Sequence, residues 1–128
     1  MNKIDNKFVV DFIKNNQITL FATQSKLCIP IIDRLCKKMS AGIQFDEIKI
    51  HDNLIIDGHH RYFSSLIVGI DVVTVISQKT SATKLIEWNL VEFDENDWDT
   101  PSKIAHLNKL DALYNNLDLE IIKQIISR

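Results

Sequence analysis

Residues 54–69, LIIDGHHRYFSSLIVG, decide how this chain is read. An apolar run stops at Asp57-Gly58, two histidines and an arginine follow, and an apolar stripe then resumes. The first residues read as the end of a strand. Beyond Gly58, the spacing of Phe63, Leu66, Ile67 and Ile70 is i, i+3, i+4, i+7, which is one face of a helix over about 60–69. Gly58 then occupies a strand-to-helix turn, where a missing Cβ lets a ligand come close to the backbone. The N–H groups just after it have no intrahelical acceptor, and the helix dipole makes that end electropositive. Arg61 adds a planar fork of donors, and His59 and His60 add two imidazoles. The set fits a phosphate or a carboxylate. On a single helix Arg61 and Ser65 share one side and His60 and Ser64 another. The polar groups are therefore expected together, outside the core.

Working outward, Phe8, Val9, Phe12 and Ile13 recur at helical spacing over 5–15, and Asn15-Asn16 ends that helix. QITLFA (17–22) has the composition of a strand and TQSKLC (23–28) that of a loop. Pro30 suits the first turn of a helix striped by Ile31, Ile32, Leu35 and Met39, with Gly42 as its C-terminal cap. EIKIHDNLIID (47–57) reads as two strands around a turn at His51-Asp52-Asn53. IDVVTVIS (70–77) is the strongest strand signal, and its near-continuous apolar run predicts burial on both faces. SATKLIEWNLVEF (81–93) fits helix or strand, with helix preferred. DENDWDTP (94–101) is a loop with Thr100 as N-cap and Pro101 in the first turn of a helix through Ile104, Leu107, Leu110 and Leu113. Leu117, Ile121, Ile122 and Ile125 stripe a last helix, whose first turn carries Asp118 and Glu120 in accord with the macrodipole. The expected architecture is a mixed α/β single domain over 1–128: a sheet core of about 17–78 with helices packed on it, and a helical extension of about 79–128.

With 128 residues, 45% of them hydrophobic, the chain can bury a core without disulfides or metals. Cys28 and Cys36, its only cysteines, have neither a CxxC arrangement nor zinc-type spacing, so they read as buried hydrophobes in a reduced, cytoplasmic protein. No leader and no membrane span is expected. The formal net charge is −2, and it is unevenly placed. Residues 1–69 hold nine bases against seven acids, whereas 70–128 hold six against ten. Six acids (Glu87, Glu92, Asp94, Glu95, Asp97, Asp99) follow one another with no intervening Lys or Arg. The chain lacks the basic footprint on which nucleic-acid affinity rests, which argues against a nucleic-acid binder. The acidic run is a solvated face or a surface for a basic protein partner.

IKIHDNLIIDGHHRYFSSLIVGIDVVTVI, with the preceding KKMSAG, resembles the signature of the ParB/sulfiredoxin-like superfamily: a strand hairpin, an Asp-Gly-x-x-Arg turn into a helix, a glycine and another strand. The resemblance covers about 17–78. It implies a nucleotide-phosphate site, with ATP, ADP or CTP and Mg²⁺ as ligands. Gly58, His59, His60, Arg61 and Ser64 would bind the ligand, and Asp57, His60 and Arg61 would carry any catalysis. Sulfiredoxins have a cysteine where this chain has His59, which argues against sulfinic-acid repair. Partitioning proteins carry a Glu-Arg-Arg version and a downstream helix-turn-helix. Free-serine-kinase-like members carry His-rich turns, and spacing alone would put their upstream glutamate at Glu47.

Plainer readings exist for the same residues. The two histidines can simply cap the turn, and Arg61 can simply pair with Asp57. His59 and His60 point apart and have no third ligand at suitable spacing, so no metal site is expected. Trp88 and Trp98 can stack a base or anchor the core. Three functions therefore compete, in this order: a nucleotide- or phosphate-handling domain (a phosphotransferase or NTP hydrolase if catalytic), an immunity-, antitoxin- or regulatory-type interaction module using the acidic C-terminal third, and a DNA-binding or nuclease protein.

Overall fold

The computed structural model describes residues 3–128. Helix α1 (Asn6–Asn15) starts where the Asp5 carboxylate accepts from the Phe8 N–H at 2.9 Å, satisfying one of the first-turn donors. Strand β1 (Lys26–Cys28) leads directly into α2 (Ile29–Ser40), which has Pro30 in its first turn and Gly42 just beyond its end at φ +89°. Strands β2 (Ile48–His51) and β3 (Leu54–Asp57) form the expected hairpin, turned at Asp52 (φ +52°). Helix α3 (His59–Val68) begins immediately after Gly58. Strand β4 (Thr74–Ile76), a 3₁₀ turn (Trp88–Leu90) and β5 (Glu92–Asp94) follow. The chain closes with α4 (Pro101–Tyr114), N-capped by Thr100, and α5 (Leu119–Ile126), N-capped by Asp118. Among the described residues no helix is long and apolar enough to cross a membrane.

The fold class is mixed α/β. One sheet has the order β3-β2-β4, with β2 antiparallel to β3 and parallel to β4; the other is a parallel β1-β5 pair. Phe21 bridges to Leu54 of β3, and Ala22 to Ile86 outside both sheets, by single pairs. Phe63 of α3, fully buried, is the hub of the main core: it meets Phe12 edge-on at 5.7 Å and lies 5.2 Å from both Trp88 and Phe93. Truncating such a ring to alanine costs about 3–5 kcal/mol. A smaller cluster of Ile43, Ala112, Ile122 and Ile125 holds α4 and α5.

Four expectations need correction. Residues 17–22 make only the two single bridges, while the supposed loop supplies β1, because Leu27 pairs with Phe93, a partner far along the chain. Residues 81–93 are not a helix. Trp88 is held instead by its indole N–H donating to the Leu20 carbonyl (2.8 Å) and by its ring against Phe63, and those long-range contacts override local periodicity. The core accordingly runs past residue 78 to include Trp88, Val91 and Phe93. Finally, 70–77 is not buried on both faces: β4 is an edge strand and Ile76 is 89% exposed.

Candidate functional site at the Gly58 turn

Gly58 is the N-cap of α3 with φ +100°, in the left-handed region that glycine tolerates best. It is also crowded: a Cβ there would lie 2.7 Å from Ile48 Cδ1 and 2.9 Å from Arg61 Nη2. The missing side chain thus lets the guanidinium of Arg61 fold back over the turn. The first amide of α3 with a protein acceptor is that of Tyr62, which donates to the Gly58 carbonyl at 2.9 Å. The N–H groups of His59, His60 and Arg61 have no acceptor among the described residues.

The two histidines are not cations. Burial pushes the His59 imidazole from 6.5 down to about 4, against the opposing pull of the Asp57 carboxylate. Burial does the same to His60, also to about 4, helped by His59 beside it. Geometry agrees. His59 Nε2 accepts from the Thr23 backbone N–H, and His60 Nε2 accepts from the Cys28 backbone N–H, each at 2.9 Å. An accepting Nε2 requires the neutral tautomer with its proton on Nδ1. The imidazoles therefore tie the 23–28 segment to α3 and keep one donor each, for which the described residues provide no acceptor.

Arg61 is the cation of the turn. Its Nη2 donates weakly to the Glu47 carbonyl at 3.3 Å and lies 3.7 Å from Asp57 Oδ2, while its buried Nε has no partner among the described residues. Glu47 thus meets Arg61 through its backbone; its carboxylate takes no part. Asp57, Gly58, His59, His60 and Arg61 all line one cavity of about 860 Å³. Its other cations are already committed, Arg34 to Asp97 (2.6 Å) and Asp99 (3.2 Å), and Lys38 to Asp111 (2.6 Å).

Ser64 does not join the site. It is fully buried, its hydroxyl donating to the Ile32 carbonyl at 3.4 Å where α3 packs on α2; Ser65 is likewise buried, its hydroxyl donating to the Tyr62 carbonyl at 2.7 Å. These small side chains let the helices approach, so only the first turn of α3 presents polar groups to the cavity. What the sequence reading missed is the contribution of α4 to the cavity lining. Leu107, Leu110, Leu113 and Tyr114 of α4 also line the cavity, and Leu113 is 79% exposed.

No family model, curated protein or solved structure matches this chain.

The remaining candidates resolve as follows. Trp88 is a core anchor, whereas Trp98 stands edge-on to His60 at 5.5 Å and donates its indole N–H to Asp94. Cys28 and Cys36 are free and fully buried, and burial pushes the Cys36 thiol up to about 12. Within the acidic run, Asp97 is held below the usual carboxylate range by Arg34, and Asp94 by the Trp98 indole. Those two and Asp99 are engaged internally.

Proposed function

We propose that the cavity binds a nucleotide or another phosphate-bearing small molecule, with its anionic group at the first turn of α3. The observation that carries the reading is the coincidence, at one mouth, of three amides without acceptors, the close-packed Arg61 guanidinium and an 860 Å³ cavity. Backbone amides at a helix N-terminus and a guanidinium suit phosphate oxygens, and the Nδ1–H groups of His59 and His60 add neutral donors. The resemblance of 17–78 to ParB/sulfiredoxin-like domains supports ATP, ADP or CTP as the ligand. Mg²⁺ arriving with a nucleotide neutralises phosphate charge, and Asp57, largely exposed and held only loosely by Arg61, supplies a carboxylate that fits it. In phosphoryl transfer or hydrolysis, Arg61 would stabilise developing charge.

The test is thermal unfolding with ATP, ADP, CTP and pyrophosphate, with and without Mg²⁺. A ligand at a hundredfold excess over its Kd adds about 2.7 kcal/mol, which raises Tm by several degrees. Arg61→Ala is expected to abolish the shift while the protein stays folded. If none of the four moves Tm at millimolar concentration, the reading is wrong.

A further inference from the structure

Residues 70–80, IDVVTVISQKT, carry charge only at Asp71 and Lys79 and contain no proline. Their centre is β4, the outer strand of its sheet. On its inner side β4 is fully engaged: Ile48 N–H donates to the Val73 carbonyl at 2.8 Å and Ser77 N–H to the Ile50 carbonyl at 2.7 Å, in a register pairing Ile48 with Thr74 and Ile50 with Ile76. Backbone groups alternate sides along a strand, so Thr74 and Ile76 direct their N–H and C=O away from the sheet. Among the described residues nothing pairs with them. The opposite edge is treated differently, since Phe21 covers β3 by bonds of 2.7 and 2.9 Å.

Open edges are ordinarily blunted by shortness, a charge or a proline; β4 is only three residues long, but the chain on both sides of it carries no charge before Asp71 and Lys79. Here the strand is apolar and open, with Val73 72% and Ile76 89% exposed. We propose that β4 pairs antiparallel with β4 of a second copy of this chain, joining the two sheets across a two-fold axis at Val75. The register follows from the backbone. The outward groups lie at alternate residues, so the axis must pass through a residue. With the axis at Val75, Thr74 exchanges both backbone bonds with Ile76 of the second copy, and Ile76 with its Thr74. Where the pairing extends the strand from Thr74–Ile76 out to residues 71 and 79, Asp71 stands opposite Lys79 at each end, in the non-hydrogen-bonded positions where side chains come closest. An axis one pair further along in either direction loses that match. An apolar centre closed at both ends by opposite charges is thus written into one segment, and it is complementary to itself.

The experiment is sedimentation equilibrium on the full chain over a wide concentration range, with the single variants Asp71→Lys and Lys79→Glu and the double reversal. Both side chains are exposed, and circular dichroism is expected to show every variant folded. Wild type is expected to approach twice the monomer mass as concentration rises. Each single reversal puts like charges opposite at both ends and is expected to weaken association about tenfold, and the double reversal to restore it. A wild type that stays monomeric throughout overturns the proposal. So does a dimer indifferent to the single reversals, or one that the double reversal leaves weakened.

Discussion

Gly58→Ala probes the turn most directly, provided it is read against Gly69→Ala. Both glycines cap α3, at φ +100° and +83°, so both substitutions pay the left-handed cost of an L-residue, about 1–2 kcal/mol. Both also gain the same modest stabilisation from a stiffer unfolded chain, which cancels in the comparison. Their surroundings differ. A Cβ at Gly69 meets nothing within 4 Å, whereas one at Gly58 meets Ile48 Cδ1 at 2.7 Å and Arg61 Nη2 at 2.9 Å. Ile48 is fully buried and cannot swing away, so overpacking adds about 1–3 kcal/mol at Gly58 alone. The guanidinium can move, and its displacement should abolish the phosphate-induced Tm shift as well. Urea unfolding of wild type, the two single variants and Gly58→Ala/Arg61→Ala measures the difference. In that double variant the contact with Arg61 is gone and the loss should be less than additive. If Gly58→Ala costs no more than Gly69→Ala, the close-packed turn described above is not the structure in solution.

Acid should unfold the protein through His59. The unfolded chain takes up this proton near pH 6.5 and the folded chain only near 4, so the unfolded state holds more protons between them, and stability falls as pH drops through that window. The full loss is about 3 kcal/mol for this one buried group; chemical denaturation from pH 7.5 to 4.5 should show a shallower slope for His59→Gln, which keeps an acceptor for the Thr23 amide. Asn108 is 4% exposed and its Oδ1 has no partner among the described residues, so Asn108→Leu, removing that orphan acceptor, should stabilise by about 1–2 kcal/mol in urea titration. Lys38→Met strands Asp111 beside α2 and should cost about 3 kcal/mol, most of it recovered in Lys38→Met/Asp111→Leu. Equal stabilities for the single and double variants would refute that pairing.

Where neighbours in sequence decide the outcome, the chain is legible. Asp5, Pro30, Thr100-Pro101 and Asp118 start helices, Asp52 turns the hairpin, and Gly58 opens α3, all from local chemistry. Legibility fails where the partner is distant. Nothing in Leu27 announces Phe93, and nothing in 81–93 announces that Trp88 will be fixed by Leu20 and Phe63. Nor does an apolar run such as VVTVI say whether a sheet will continue past it. That Asp57, Gly58, His59, His60 and Arg61 line one cavity was legible because they are consecutive. Ser64 was misplaced because helical spacing gives a side but not what covers it, and α4 was missed because its leucines look like core residues.

The histidines show why structural and functional readings of this turn are not rivals. The amide of Thr23, ahead of β1, and that of Cys28, at its end, both need acceptors. Imidazole Nε2 atoms supply them, and in doing so force each ring's proton onto Nδ1. The rings hold the fold by one nitrogen and keep the other as a donor. With Nε2 spent and charging suppressed by burial, His60 cannot serve as a base at neutral pH. The unpaired polar groups of the first turn of α3 are then donors, three amides, two Nδ1–H groups and a guanidinium, on residues that line the cavity, with Asp57 as the single carboxylate in the motif. In the proposed binding role the turn would hold the anion, and a proton released there would pass to a carboxylate lining the cavity, such as Asp57 or Asp46, or to the ligand itself.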